Sequence, residues 1–128
     1  MGGGAGQERR ESRIFGYDYY PFAPTINAAM NVVNVQLSRK VAEGFVIPLG
    51  HVNLVGVKTD VGMVGCGAFD VAALDSFSYP AAKVRPSIGP SIVDIDDLLK
   101  GIVREANRSA VGRGIKTGMT GKQALELL

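Results

Sequence analysis

Residues 61–74 read VGMVGCGAFDVAAL, and this stretch decides which fold the chain can adopt. Its short apolar part, residues 63–66, predicts a strand, whereas the apolar residues after Gly67 are spaced as in a helix. Cys66, the only cysteine of the chain, lies between Gly65 and Gly67 at the junction. Glycine permits close backbone approach and unusual backbone angles, so the stretch predicts a sharp turn from strand to helix.

Three further strands are predicted before this junction, because the chain there is rich in β-branched residues and is interrupted by turn residues. They cover residues 31–37, 44–50 and 53–59. The short link at residues 60–62 predicts that the third strand forms an antiparallel hairpin with the strand at residues 63–66.

Helices are predicted after the junction. The first follows Gly67, has few polar positions and is therefore expected to be mostly buried. A longer helix is predicted over residues 95–106, where Asp94 is a suitable N-cap and apolar residues recur at helical spacing. Leu99 is expected on the buried face of that helix, so its replacement by aspartate should damage the fold more than any surface change.

The remaining segments complete a small domain. Residues 83–88 predict a short strand, and residues 114–119 predict a strand or a loop. Thr120 and Gln123 match a capping box, which predicts a short helix at the C-terminal end. The expected fold is therefore α+β: a small single domain over residues 25–128, with a mostly antiparallel sheet packed by two or three helices.

Residues 1–24 differ from the rest and are predicted to form an N-terminal arm. Residues 1–13 are rich in glycine and charge without periodicity, which is typical of a flexible segment. Residues 14–24 concentrate aromatic side chains, whose large apolar area favours packing over exposure. Two interpretations stay open: the aromatic stretch packs on its own subunit, or it docks on a neighbouring one.

Composition excludes several classes of function. The chain of 128 residues carries 14 basic and 12 acidic residues, and this net charge of +2 is too small to predict a nucleic-acid surface. No signal peptide is visible and no apolar run approaches the roughly 20 residues that span a bilayer, so no membrane partner is expected. One cysteine and one histidine cannot build a usual zinc site, and a lone cysteine fits a reducing compartment. We therefore expect a cytoplasmic protein without a metal.

Two glycine-containing motifs resemble nucleotide loops but lack required residues. Asp70 occupies the third glycine position of a dinucleotide fingerprint, where its carboxylate would repel pyrophosphate, so no cofactor is expected. In residues 118–123, Gln123 replaces the hydroxyl residue that would hold magnesium in a phosphate loop. Lys116 and the backbone at Thr120 still offer an anion site, although a helix cap with solvated lysines explains them as well.

The chain carries Asn53, an Asp60-x-Gly62 turn, Cys66-Gly67-Ala68-x-Asp70 and, over residues 114–121, Gly-Ile-Lys-x-Gly-Met-x-Gly. In order and spacing these features resemble the YunC-like proteins of bacteria and archaea, a class of domains of unknown function. The resemblance covers about residues 31–128. It implies a small α/β fold whose N-terminal β region is used for tetramerisation, and it implies no established activity.

The candidate site is the corner around Cys66 and Asp70. If Cys66 faces the N-terminus of the following helix, the helix dipole would stabilise its thiolate; the alternative is a small buried apolar residue. Asp70 would either stabilise the start of the helix or act as an acid, base or orienting group beside Cys66, where its charge would disfavour the thiolate. The further candidates for ligand binding are Asn53, Asp60, Gly65, Gly67, Lys116 and Thr120.

Two functions follow from these features. The favoured one is a homo-oligomeric protein, a tetramer formed through its N-terminal strands, that binds a small molecule or a protein partner without catalysis. The alternative is a small enzyme with a pocket at the Cys66–Asp70 corner, with Asn53 and Asp60 nearby.

Overall fold

A six-stranded sheet runs through residues 31–128, the part of the chain that the computed structural model describes. Its strands are β1 (Asn31–Gln36), β2 (Val41–Pro48), β3 (Asn53–Lys58), β4 (Met63–Gly65), β5 (Ala81–Arg85) and β6 (Ile102–Ala106). They follow one another across the sheet in chain order, and every neighbouring pair is antiparallel except β4 and β5, which are parallel. The predicted arm over residues 1–24 lies outside the described residues.

Short helices accompany the sheet in residues 31–128. They are α1 (Val71–Asp75), α2 (Ile95–Lys100), α3 (Arg108–Val111) and α4 (Gly121–Leu125). The predicted α+β fold with a mostly antiparallel sheet is confirmed, although the described residues hold four helices instead of two or three.

The turn between β3 and β4 is closed by the side chain of Thr59. Its hydroxyl oxygen accepts hydrogen bonds from the backbone N–H of Val61 at 3.0 Å and of Gly62 at 3.2 Å. Gly56 of β3 then pairs with Gly65 of β4 in antiparallel register. The predicted hairpin is therefore confirmed.

The helix after the glycine–cysteine junction is shorter and more exposed than the sequence predicts. Helix α1 has five residues, begins at Val71 and buries only that residue. In the residues before α1, the backbone N–H of Phe69 donates to the carbonyl of Cys66 at 3.3 Å. These residues, which were expected to be helical, therefore form a turn. The expectation of a mostly buried helix directly after Gly67 is thus wrong, because one side of α1 faces solvent.

The predicted helix over residues 95–106 is wrong in its second half. Helix α2 ends at Lys100, and Gly101 is extended, with φ −63° and ψ 166°. A Cβ atom at position 101 would crowd Val84 and the carbonyl oxygen of Arg85, so glycine lets the chain turn closely against the sheet here. The following residues satisfy their backbone by pairing as β6 with β5. Tertiary pairing therefore overrides the helical spacing.

Both N-caps predicted from the sequence are confirmed. Asp94 accepts a hydrogen bond from the backbone N–H of Asp97 at 2.8 Å. Thr120 accepts one from the N–H of Gln123 at 3.1 Å, and the Gln123 side chain accepts one from the N–H of Thr120 at 2.9 Å. Residues 114–119 form a loop, which is the second of the two predicted alternatives.

The main core lies on the face of the sheet that α2 and α4 cover. Its fully buried side chains include Val55, Val57, Val64, Val84, Leu98, Val103, Ile115 and Leu125. Successive strand residues point to opposite faces, so Met63, next to Val64, belongs to a second and smaller cluster with Val71 of α1. Helix α1 therefore covers part of the opposite face.

The two glycines that flank Cys66 are expected to respond differently to alanine. A Cβ atom at Gly65 would overlap the ring of Phe69, whereas one at Gly67 meets nothing within 4 Å. The Phe69 ring itself packs edge-on against Phe45, with centroids 6.2 Å apart, so a shift of Phe69 would disturb this contact. We expect Gly65→Ala to lower the free energy of unfolding in urea by about 1–3 kcal/mol. Gly67→Ala, the matched control, should change it by less than about 0.5 kcal/mol, and equal losses would contradict the packing.

Asp75 joins the end of α1 to α3. Its carboxylate accepts hydrogen bonds from the backbone N–H of Ser109 at 3.0 Å and from the Ser109 hydroxyl at 2.9 Å. These two bonds, helped by the charge of Arg108, lower the pKa of Asp75 below its usual value of 3.8. The ionised form is thus favoured by folding, so this stabilisation is complete above the usual pKa and is lost as the pH falls through the lower folded-state pKa.

Replacing Asp75 with asparagine should therefore destabilise the protein in a pH-dependent way. Urea unfolding is expected to show a larger loss of stability at neutral pH, where the native carboxylate is ionised, than at a pH below the lowered pKa of Asp75. Asp96→Asn serves as the control, because it removes only an exposed ion pair with Lys100. The assigned role would be contradicted if Asp75→Asn lowered the free energy of unfolding by the same amount at both pH values.

Candidate functional site

A cleft of about 250 Å³ opens at the corner around Cys66. The residues that line it include Asn53, Cys66, Arg85, Ser91 and Arg104. Apolar residues of the wall are Val84, Pro86, Pro90 and Ile92, and Gly67 leaves its side of the cleft open. The cleft thus combines an apolar wall with a few polar groups, which is the usual make-up of a small-molecule site.

The sheet topology explains why distant parts of the chain meet here. Asn53 begins β3 and Cys66 directly follows β4, and these antiparallel strands bring the two residues to the same end of the sheet. The backbone N–H of Cys66 extends the pairing by donating to the carbonyl of Val55 at 3.0 Å. Arg85 ends β5, which is parallel to β4, so the carboxyl ends of both strands face the cleft. Such ends are common ligand sites in α/β sheets.

Arg104 reaches the cleft at a β-bulge. Val84 of β5 pairs with Val103 of β6, and Lys83 pairs with Glu105, so the register passes over Arg104. A bulge of this kind redirects the side chain of the extra residue. The irregular pairing therefore accounts for the position of Arg104 in the lining.

The loop that closes one side of the cleft is tied to the sheet by Asn53. The side-chain amide of Asn53 donates to the carbonyl of Val93 at 2.9 Å. The N–H of Val93 in turn donates to the carboxylate of Asp97 in α2 at 3.0 Å. Asn53 thus has a structural partner through Nδ2, while its Oδ1 is available to a ligand.

Cys66 is a free thiol with 6% of its surface exposed. It lines the cleft but does not lie directly before a helix, because α1 begins only at Val71. The prediction of a helix starting near Ala68 is therefore wrong. The proposed stabilisation of a Cys66 thiolate by the dipole of that helix loses its geometric basis as well.

Asp70 takes the structural role that the sequence offered. Its carboxylate is the N-cap of α1 and accepts a hydrogen bond from the backbone N–H of Ala73 at 3.0 Å. Asp70 does not line the cleft, so the structure does not bring it together with Cys66 in one pocket. Gly65 also lies apart from the lining, packed against Phe69.

The other predicted candidates lie away from the cleft. Asp60 follows the far end of β3 and forms a hydrogen bond and an ion pair of 2.7 Å with Lys40, which lower the pKa of Asp60. Thr120 is engaged in its capping box, and α4 is only five residues long. Lys116 is exposed on the loop that precedes it. These residues do not form one site with Asn53 and Cys66.

Sequence reasoning missed Arg85, Ser91 and Arg104. Arg104 fell within the predicted helix over residues 95–106, where a charged residue indicates only a solvated face. The correct strand assignment for β5 and β6 would have placed both arginines near one end of the sheet. His51 lines a smaller neighbouring cleft of about 110 Å³, which shares Asn53 and Ser91 with the first.

Two further observations concern residues 31–128 alone. In that part of the chain, the histidine, cysteine, aspartate and glutamate side chains form no group of three that is placed to hold a metal ion. Over the same residues, every helix is too short or too polar to span a bilayer.

Known proteins similar to this chain carry no assigned activity. A family model described as a domain of unknown function (DUF1805) matches residues 65–128, which include Cys66, Arg85 and Arg104. An uncharacterised protein of Bacillus subtilis (strain 168), YunC, is 29% identical over 96 residues, which cover 75% of this chain and 94% of YunC. A crystal structure of TA1206, a protein of unknown function from Thermoplasma acidophilum, superposes with a TM-score of 0.65 at 25% identity, covering 76% of this chain and 90% of TA1206.

Proposed function

The chain belongs to the family of domains of unknown function DUF1805, and on that premise we propose that it is a homo-oligomeric protein that binds a small ligand in the cleft around Asn53, Cys66 and Arg85. The observation that carries the proposal is the convergence of polar side chains from four separate segments on one concave site. The lone cysteine, which is free, fits a reducing compartment, and we place the protein in the cytoplasm.

Binding is favoured over catalysis because the enzyme alternative required Cys66 and Asp70 in one pocket. Asp70 is instead occupied as a helix cap and lies outside the cleft lining. A catalytic cysteine needs a nearby base, and the described residues that line this cleft include no histidine or carboxylate, whereas His51 lines the smaller neighbouring cleft.

Ligand binding is tested by a thermal-shift screen of metabolites on the full chain. A bound ligand raises the unfolding temperature by mass action. We expect at least one specific hit whose shift is lost in Gly67→Phe, because Gly67 lines the cleft and a bulky ring at this position would obstruct it.

Asp70→Ser is the matched control for that screen. Serine is also a good N-cap, so this variant should keep both the fold and the ligand shift. Loss of the shift in Asp70→Ser would favour the enzyme alternative, and the absence of any hit that depends on Gly67 would contradict the proposed function.

Assembly as a homotetramer is supported by the surface of β1. Within the described residues this strand pairs only with β2, which leaves the backbone of its other edge available for pairing. Val32 and Val33 are also 49% and 47% exposed there. Exposed β-branched residues on an edge strand are a natural surface for association between subunits.

We expect Val33→Lys to convert the tetramer into smaller species. A charge on the β1 surface would oppose burial against another subunit. The mass in solution, measured by light scattering at micromolar concentration, checks this. Val111→Lys on α3, where the valine is 56% exposed, should leave the mass unchanged. A native protein that is monomeric, or a Val33→Lys variant that remains tetrameric, would contradict the assembly.

A further inference from the structure

We propose that the cleft selects small anions that carry a carboxylate or phosphate group, and that Arg85 and Arg104 bind this group. The inference rests on the proposed ligand-binding function and specifies the chemistry of the ligand. It follows from the charge of the lining, the way the two arginines are held, and the neutral groups beside them.

The charge of the cleft is not compensated by the residues that line it. Arg85 and Arg104 contribute two positive charges, and the described lining contains no aspartate or glutamate. Within residues 31–128, neither arginine forms an ion pair with a carboxylate. The nearest acidic neighbour in sequence, Glu105, is paired with Lys83 at 3.2 Å. An anion would therefore compensate the two positive charges of the lining.

Both arginines line the cleft and are exposed to solvent. Arg85 donates through Nη1 to the carbonyl of Pro86 at 3.3 Å, which uses one of its five N–H donors and leaves the others for a ligand. Arg104 is the extra residue at the bulge in β6. The planar fork of N–H donors in arginine matches the two oxygens of a carboxylate or phosphate, so these side chains suit an oxyanion better than a neutral ligand.

The neutral part of the lining limits the rest of the ligand. A cleft of about 250 Å³ has room for a small molecule. The free Oδ1 of Asn53 accepts, and the hydroxyl of Ser91 donates or accepts, so both suit a polar substituent. Val84 and Ile92 provide apolar contacts for a short carbon chain.

A second cleft with basic residues differs in its charge balance. It is lined by Arg39, Lys40 and Arg113, but also by Glu126. Lys40 is moreover paired with Asp60 at 2.7 Å. The positive charge of this second cleft is thus largely neutralised. Arg113 is therefore a matched control for the loss of one surface arginine.

The test is a calorimetric titration of the full chain at low salt with three probes. Succinate represents a carboxylate, inorganic phosphate represents a phosphate group, and succinamide is the neutral counterpart of succinate. We expect saturable binding of succinate, phosphate or both, and none of succinamide. Arg85→Gln and Arg104→Gln should each weaken the binding about 10- to 100-fold, because each removes a charge-assisted hydrogen-bonding group. Arg113→Gln should change it by less than about twofold.

The outcomes separate this inference from the proposed function. Binding of only one anion supports the inference and identifies the group that the cleft prefers. Equal weakening by Arg113→Gln, or binding of succinamide as tight as that of succinate, overturns it. If neither anion binds but a neutral metabolite gives a thermal shift that Gly67→Phe abolishes, the anion inference fails and the proposed function stands. If neither anion nor any metabolite binds, both fail.

Discussion

Replacement of Asn107 by alanine is expected to lower the free energy of unfolding by about 3–5 kcal/mol, among the largest effects of any single polar substitution in this fold. Only 6% of the surface of Asn107 is exposed. Its side-chain amide donates to the carbonyls of Val71 at 2.9 Å and Tyr79 at 2.8 Å. Its Oδ1 accepts from the N–H groups of Ala81 at 3.2 Å and Ala110 at 2.9 Å. One side chain thus joins α1, the start of β5 and α3.

The cost arises because truncation leaves these four backbone groups without their partner. Groups buried with no hydrogen bond lose their hydration and gain nothing in return. Urea unfolding of Asn107→Ala measures the effect, and Lys116→Ala in the exposed loop before α4 is the control, expected to change stability by less than about 0.5 kcal/mol.

Asn107→Asp separates hydrogen bonding from packing, because aspartate has nearly the same shape. It keeps an acceptor for Ala81 and Ala110 but places a carboxylate oxygen against the carbonyls of Val71 and Tyr79. We expect it to be destabilised at neutral pH and partly restored in acid, where a protonated carboxyl can donate once. A loss below about 1 kcal/mol for Asn107→Ala would contradict the assigned role.

The second large effect is expected for Leu98→Ala, which should lower the free energy of unfolding by about 2–5 kcal/mol. The Leu98 side chain is fully buried in the main core, in the helix that packs against α4. The backbone of Gly121 in α4 approaches so closely that a Cβ atom there would overlap the carbonyl oxygen of Leu98. The helices therefore have little room to close over the cavity that Leu98→Ala creates.

Leu99→Ala is the matched control, because the same chemical change occurs one position along the same helix. Leu99 is only partly buried and packs at the border of the core. We expect it to lose less than half as much stability as Leu98→Ala in urea unfolding, since fewer contacts are removed. Equal losses, or a larger loss at Leu99, would show that the packing of α2 is wrong.

The comparison of Leu98 and Leu99 also shows where sequence reasoning reached its limit. Helical spacing over residues 95–106 placed both Leu98 and Leu99 on the buried face and treated Ile102 and Val103 as parts of the same helix, so it could not tell which leucine is fully buried. Once Gly101 ends the helix and the following residues join the sheet, the buried face of α2 is set by its contact with α4. That contact joins segments of the chain more than twenty residues apart, so no pattern within a short stretch of the sequence predicts it.

Features that depend on residues close together in the sequence were predicted correctly. The caps at Asp94 and Thr120 depend on side chains three residues from their partners, and both occur as predicted. The β3–β4 hairpin follows from its short link. By contrast, the parallel pairing of β4 with β5 depends on the path of the chain through α1, and the sequence contains no direct sign of it.

The structure brings together only some of the site residues named from the sequence. Asn53, Cys66 and Gly67 were all candidates, and they line one cleft. The two arginines could not be placed, since Arg104 reaches the cleft only because of a bulge between strands of which one had been assigned as helix. Asp70 was a candidate because of its carboxylate, and in the structure this carboxylate caps the N-terminus of α1.

The central claim is that Arg85 and Arg104 bind the anionic group of a ligand in this cleft. Nuclear magnetic resonance of the arginine Nε–Hε groups tests it most directly, with signals assigned by Arg85→Gln, Arg104→Gln and Arg113→Gln. On titration with whichever of succinate and phosphate binds more tightly, we predict saturable shifts of the Arg85 and Arg104 signals with a shared dissociation constant, while the Arg113 signal stays in place. Signals of Arg85 and Arg104 that do not move, or that move no more than that of Arg113, would contradict the account.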